Sequence, residues 1–379
     1  MHIKTIPEES IFTAPITFED TPLIRTSLCL QGIRIMNEEP CKIQITSIAV
    51  QLRIKNQTVW QFVYDGEFLE QTVNQFANSA SQKFQDPNIT RILLGRSTFW
   101  DFDTLQSQPI LTQGQEIGFE METIEYRSEK VPELLQINVK YQEWEGESSN
   151  PSKKEMSKIL PIITTGSKNS YLLPVKGAWH YNRSYDWDFG HRHSYSQEFA
   201  MDFQQYNSQY RIKNNLKVPN SEFPHYGAPI YAAAEGTIII VGDKFPENEL
   251  SDEIIMIDPE QQKKFIAQLG FNRTLMGNHI MIAHPNGEYS LYCHMIPGKM
   301  CVKEGETVIA GQQIGQLGNS GFSGFPHLHF QIIDGSDPLN SRGIPCRFRN
   351  TTDEYAQKIE YLQNNNQYVN TDDPNNEYQ

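Results

Sequence analysis

The chain has 379 residues, enough for two domains. Its hydrophobic content of 38%, with 20 Phe and 17 Tyr, can build sizeable cores. With 32 basic against 46 acidic residues, the net charge of −14 argues against nucleic acid, whose recognition needs clustered Lys and Arg. The same balance disfavours anionic membranes, and no apolar run is long enough to span a bilayer. The start, MHIKTIPEESIFTAP, lacks the continuous apolar core of a secretion signal. The expected compartment therefore stays open between the cytoplasm, export by another route, and a signal already removed. The five cysteines (Cys29, Cys41, Cys293, Cys301, Cys346) form no CxxC pair, so a cysteine zinc site is not expected and free buried thiols are.

Residues from about 10 to 145 read mostly as strands. Ile48, Val50, Leu52 and Ile54 alternate with smaller or polar neighbours, and Leu135, Ile137, Val139 and Tyr141 do the same. This period of two marks half-buried antiparallel strands. One helix is predicted at FLEQTVNQFANSA, where Leu69, Val73, Phe76, Ala77 and Ala80 share a stripe. A β-sandwich is expected here. It carries no catalytic constellation, so a scaffold or recognition role is its default. The polar EGESSNPSKKEMSK then reads as a linker.

Beyond it lie nine of the ten histidines. Strands are predicted at PIYAAAEGTIIIVGD, NHIMIAH, EYSLYCHM and PHLHFQII, with an Asn-Gly hairpin turn inside IAHPNGEYS. An insertion, KFPENELSDEIIMIDPEQQKKFIAQLGFNRTL, is expected to hold a short helix near Gln261 to Leu269. The polar, acidic YVNTDDPNNEYQ at the C-terminus is expected to be disordered.

In a strand HLHFQI, His327 and His329 point to one side. A satisfied core histidine is the ordinary reading of either alone. Two at this spacing, after the small and flexible GNSGFSG, point to a site. Further ligands must come from elsewhere, since hydrolytic zinc takes three protein side chains, commonly His and carboxylate. The suppliers are HRHSYSQEFAMDF, with His191, His193, Glu198 and Asp202, and YSLYCHM, with His294. An Asp inside the apolar FAMDF is costly to bury unless it is paired or bound to metal, which favours Asp202 as a ligand.

At this point the sequence resembles a known family. The run GNHIMIAHPNGEYSLYCHMIPGKMCVKEGETVIAGQQIGQLGNSGFSGFPHLHFQI looks like the catalytic core of the lysostaphin-type zinc metallopeptidases, the peptidoglycan endopeptidases. YGAPIYAAAEGTIIIVGD is similar to that family's first strand pair, and the likeness covers roughly residues 172 to 335. The resemblance implies that His329 and Asp202 bind Zn2+, while His294 and His327 flank the attacking water, one as general base and the other at the developing oxyanion. Four residues before Asp202, where the family's commonest motif has a histidine, stands Glu198. Some members keep that histidine nine residues before the Asp, the offset of His193. His193 is therefore the expected third ligand, with His191 second and Glu198 third.

The expected fold is mostly β: an N-terminal β-sandwich-like accessory domain over 1–150, an antiparallel β-sheet metallopeptidase domain over 171–350, and a polar tail over 351–379. The expected function is zinc-dependent hydrolysis of peptide bonds in peptidoglycan cross-links. The resemblance also points to the cell envelope or the extracellular space. A catalytically degenerate binding or regulatory module is the alternative, and a zinc hydrolase with a substrate other than cell wall is a third. His180 and His225 read as surface or loop histidines, His279 and His284 as structural, and Tyr292 and Trp179 as core. The glycines of GNSGFSG read first as turn formers, with room for an extended peptide as their second use.

Overall fold

The alternation read in the N-terminal part is realised as strand pairing. The computed structural model describes residues 1–18, 21–83, 99–101, 103–120, 123–144, 150–182, 190–205, 217–252, 254, 258–362 and 367–371. These divide into two compact units, Met1–Gly166 with His193–Tyr195, and Ser167–Arg192 with Ser196–Gln379. Among the described residues, no helix is long and apolar enough to cross a membrane.

In the first unit, strands Lys42–Ile54 and Leu134–Trp144 pair antiparallel, setting Ile48 opposite Val139, Val50 opposite Ile137 and Leu52 opposite Leu135. All six side chains are fully buried. Two three-stranded sheets add Ile3, Ile33, Ile35 and Ile117, and Leu28 and Ile124, to the same core. The predicted helix is Gly66–Lys83, which buries Leu69, Val73 and Phe76. The sandwich is thus a layering of three sheets and a helix around one core. The expected linker is corrected in part. Residues 145–149 lie outside the described residues, but Ser152–Ile163 is a strand that pairs with Leu134–Trp144 from Leu134↔Pro161 to Glu143↔Ser152. Its charged, exposed side chains hid the alternation, and charge of this kind is tolerated near a sheet edge.

The second unit is built on an eight-stranded sheet. In spatial order its strands are Thr307–Val308, Gly236–Gly242, Asn278–Ala283, Tyr289–Met295, Leu328–Ile333, Met201–Gln204, Ala178–Asn182 and Gln367–Asn370. Every pairing in it is antiparallel. Leu328, Phe330 and Ile332 of the central strand join the large core with Ile280, Ile282 and Tyr292. Alternation sends His329, Gln331 and Ile333 to the opposite face, where Ile333 packs with Met281, Leu291 and Cys293. One face thus anchors the sheet and the other carries the polar chemistry.

The predicted helix of the insertion is Pro259–Leu269, capped by Asp258, whose side chain accepts from the Glu260 and Gln261 amides. A second short helix, Phe271–Met276, follows it. The C-terminal stretch departs from expectation. Gln367–Asn370 is an edge strand on Ala178–Asn182, with buried Val369 opposite buried Trp179. A lone buried valine in a polar run leaves little trace in a sequence. Residues 372–379 lie outside the described residues. The cysteines are free, as expected, although Cys301 is exposed.

Candidate metal centre

The centre is assembled by strand register. Asp202 and His329 are direct cross-strand partners, so both side chains stand on one face. His329 Nδ1 lies 3.1 Å from Asp202 Oδ1. His191, in the 3₁₀ turn Gly190–His193, brings its Nε2 to 3.8 Å from the same oxygen, and its ring meets that of His329 edge-on. The ligand atoms of His191, Asp202 and His329 all lie within 4.8 Å of one another, and all three residues are buried. The side chain of His193, the first-choice ligand of the sequence, lies outside the described residues, and His191, the second choice, completes the cluster. Glu198, the third choice, is buried but is not part of this group. Burial raises the Glu198 carboxyl to about 7, against the opposing pull of Arg192 and Arg342.

His327 and His294 flank the cluster. His327 precedes the central strand and holds its Nε2 at 3.6 Å from Asp202 Oδ1, while its ring centroid is 4.6 Å from that of His294. Each has its Nδ1 on a backbone carbonyl, Phe325 O at 2.8 Å for His327 and Ser320 O at 2.8 Å for His294. A carbonyl only accepts, so in the neutral rings Nδ1 carries the hydrogen and Nε2 presents its lone pair. Burial, reinforced by His327 and His329, holds the His294 imidazole well below its ordinary range, so it is neutral near pH 7.

Register also explains how His294 reaches the site. Tyr292 pairs with Ile280 and Met295 with Asn278, so Cys293 and His294 together oppose the single residue His279. That is a β-bulge, and His294 sits in it at φ 65°. Cys293 faces His329 across the sheet. Simple alternation would send His294 to the opposite side, and the bulge re-aims it.

Electrostatics test whether a cation fits. Burial alone would raise the Asp202 carboxyl, but the imidazoles of His191, His327 and His329 together hold it well below the ordinary carboxylate range. Two imidazoles and one carboxylate converging in a buried space is a donor set suited to zinc, with a coordination position left for water. The residues fit the ion.

The approach to the site rests on a buried amide network that the sequence did not signal. Asn248, in the insertion, donates from Nδ2 to the carbonyls of Asn319 and Ser323 at 3.0 and 2.9 Å. Asn319 in turn donates to Asn220, and Asn220 to the Asn248 carbonyl. These bonds frame Ser320, whose carbonyl holds His294. Gly321 is a turn former, as expected: its φ is 78°, and a Cβ there would strike the backbone of Gly277.

His225 lies in a turn, within the surface-or-loop reading, but it is not at the surface. It is buried, with Nε2–H donating to Pro326 O at 2.6 Å and Nδ1 accepting from the Gln205 amide at 3.0 Å. It therefore ties the approach to His327 to the end of the strand carrying Asp202. His279, His284 and Tyr292 are buried, with partners outside the cluster, and His180 packs on Tyr368.

Residues 222–341 match the model of peptidase family M23. The match takes in His294, His327 and His329 but begins after Asp202 and His191, which the sheet pairing and the 3₁₀ turn bring in. Over 90 residues, 23% of this chain, the sequence is 37% identical to the peptidoglycan DD-endopeptidase ShyA of Vibrio cholerae, covering 20% of that protein. Over 104 residues, 27% of this chain, it is 35% identical to the glycyl-glycine endopeptidase ALE-1 of Staphylococcus capitis, covering 28% of it. The chain thus spans less than a third of the length of these relatives. Among solved structures, the catalytic domain of lysostaphin from Staphylococcus simulans is similar at 20% identity and a TM-score of 0.26, over 44% of this chain and 88% of that one.

Proposed function

We propose that this chain, whose residues 222–341 form a peptidase family M23 domain, is a zinc-dependent endopeptidase that hydrolyses peptide bonds in peptidoglycan cross-links, in the cell envelope or outside the cell. The observation that carries the reading is the convergence of His191, Asp202 and His329 within 4.8 Å, with His294 and His327 beside them. The activities of the relatives, a peptidoglycan DD-endopeptidase and a glycyl-glycine endopeptidase, support a cell-wall peptide as substrate.

His191, Asp202 and His329 would hold the ion. When bound, zinc polarises a scissile carbonyl and acidifies water. The remaining work belongs to the chain's own side chains. His294 and His327 both turn an Nε2 lone pair inward, because Ser320 and Phe325 hold their Nδ1 hydrogens. Either can take a proton from water as its oxygen bonds to the carbonyl carbon. The resulting Nε2–H can then donate to the departing amine as the carbon–nitrogen bond breaks. Burial favours the neutral form of His294 and keeps it ready as a base. Asp202 carries the negative charge that draws a cation to the cluster.

The test is metal analysis joined to release of peptides from purified cell wall. We expect about one zinc per chain, lost in His329→Ala, Asp202→Ala and His191→Ala and retained in His327→Ala and His193→Ala. Zinc retained in His191→Ala and lost in His193→Ala would transfer the third position to His193. A chain with no zinc and no peptide release would instead be a binding or regulatory module. Zinc binding with hydrolysis of other peptides alone would move the substrate away from the wall.

A further inference from the structure

Gln331 lies two residues beyond His329 on the same face of the central strand and is buried. Its Nε2 donates to the Ser196 carbonyl at 3.0 Å, and its Oε1 lies 2.8 Å from His329 Nε2. The orientation of the amide follows from its partners. A backbone carbonyl only accepts, so the NH₂ group must face Ser196 and the oxygen must face His329. That oxygen also only accepts, so the hydrogen of the neutral His329 ring sits on Nε2. The lone pair then falls on Nδ1, the atom facing Asp202 Oδ1 at 3.1 Å. His294 and His327 hold the opposite tautomer, with Nδ1–H on carbonyls.

We infer that Gln331 is a positioning residue that sets the tautomer of His329 for metal binding and, through Ser196, ties the segment between His191 and Asp202 to the same strand. The inference rests on the reading of His191, Asp202 and His329 as a metal centre. One amide thus serves both sequence segments that build the cluster. The partner of a ligating imidazole's second nitrogen fixes the ring and raises its basicity, and losing it typically weakens metal binding about 10- to 100-fold.

The test measures zinc affinity of the metal-stripped full chain in competition with a chromogenic chelator, and the His329 tautomer of the metal-free chain by long-range ¹⁵N–¹H NMR. Gln331→Leu is expected to weaken zinc binding about 10- to 100-fold and to lose the pure Nε2–H signature. Gln331→Glu keeps an acceptor for His329 and gives up the amide donor to Ser196. It is expected to bind within a few-fold of the unaltered chain and to keep the Nε2–H tautomer. Unchanged affinity in Gln331→Leu would overturn the inference while leaving the metal centre standing. An equal loss in both variants would overturn the tautomer-setting role, since Gln331→Glu keeps the acceptor for His329, and would leave only the tie to Ser196. No zinc binding by the unaltered chain would bring down the metal-centre reading and the inference together.

Discussion

His294 combines a demanding backbone with a demanding side chain. At φ 65° it occupies the left-handed region, which costs a residue with a Cβ about 1–2 kcal/mol. The bulge that imposes this also delivers the ring to the cluster, so strain and placement have one cause. Truncation separates them. His294→Ala and His294→Gly both remove the imidazole, and each is expected to cut peptide release by about 10²–10⁴ with zinc content unchanged. In urea denaturation the glycine variant should be the more stable of the two, by about 1–2 kcal/mol. Equal stabilities would mean that the left-handed conformation is absent in solution. Much at this scale was legible in the sequence: His329 and His327 from their spacing and Asp202 from its apolar surroundings, whereas His294 was reached through the family resemblance, because the bulge that re-aims it breaks the strand's alternation. The choice between His191 and His193 was not legible, because neither offset from Asp202 lies within one strand or helix whose period would fix it. The burial of His225 was not legible for a different reason, since its acceptor, Pro326, is about a hundred residues away in sequence.

Between elements, the site depends on how closely neighbouring strands approach. Gly242 pairs with His279 across the sheet, and a Cβ at Gly242 would run into the His279 ring. Gly242→Ala should therefore cost about 1–3 kcal/mol by overpacking, read from the urea midpoint. Much of that cost should vanish when His279→Ala is added, and additive losses in the double variant would show that the two do not touch. The insertion is held by a different device. Asn248→Ala strips the carbonyls of Asn319 and Ser323 of a buried donor, at about 1–3 kcal/mol. Faster hydrogen exchange should follow across 319–324, the loop that carries the acceptor of His294. Unchanged exchange there would leave Asn248 without a role in holding the loop. The alternating strands were readable from their period of two, and the helix Pro259–Leu269 was expected within two residues of its observed start. The strand Ser152–Ile163 was not, because side chains that face water near an edge carry no hydrophobic signal, and the Asn248 network left none because its bonds cross between distant loops.

Across the whole molecule, buried titratable groups set opposing pH dependences. Burial pushes His225 and His279 down to about 4 from an ordinary 6.5. Between those values the unfolded chain takes up protons that the native chain refuses, so stability falls as the pH drops through the window. Asp202 and Glu288, both held below the ordinary carboxylate range, act in the same direction as the pH falls through their native values. Glu198 acts oppositely. Its native carboxyl titrates at about 7 against an ordinary 4.5, so the native state holds the extra proton and stability declines as the pH rises from 4.5 to 7. His284 and His294 are also held down by burial, so four histidines outweigh the one raised carboxyl, the unfolded chain holds the net excess of protons below 6.5, and stability falls as the pH drops from there towards 4.5. Below about 4.5 the Glu198 contribution is complete and the fall steepens; between 6.5 and 7 Glu198 alone tilts the curve the other way. Urea midpoints of the metal-free chain should therefore peak near pH 6.5. Glu198→Gln should remove the decline above that pH and steepen the loss below it. An unaltered profile in that variant would show that Glu198 titrates in the native chain as it does in water, and that its burial is relieved by protein partners or solvent.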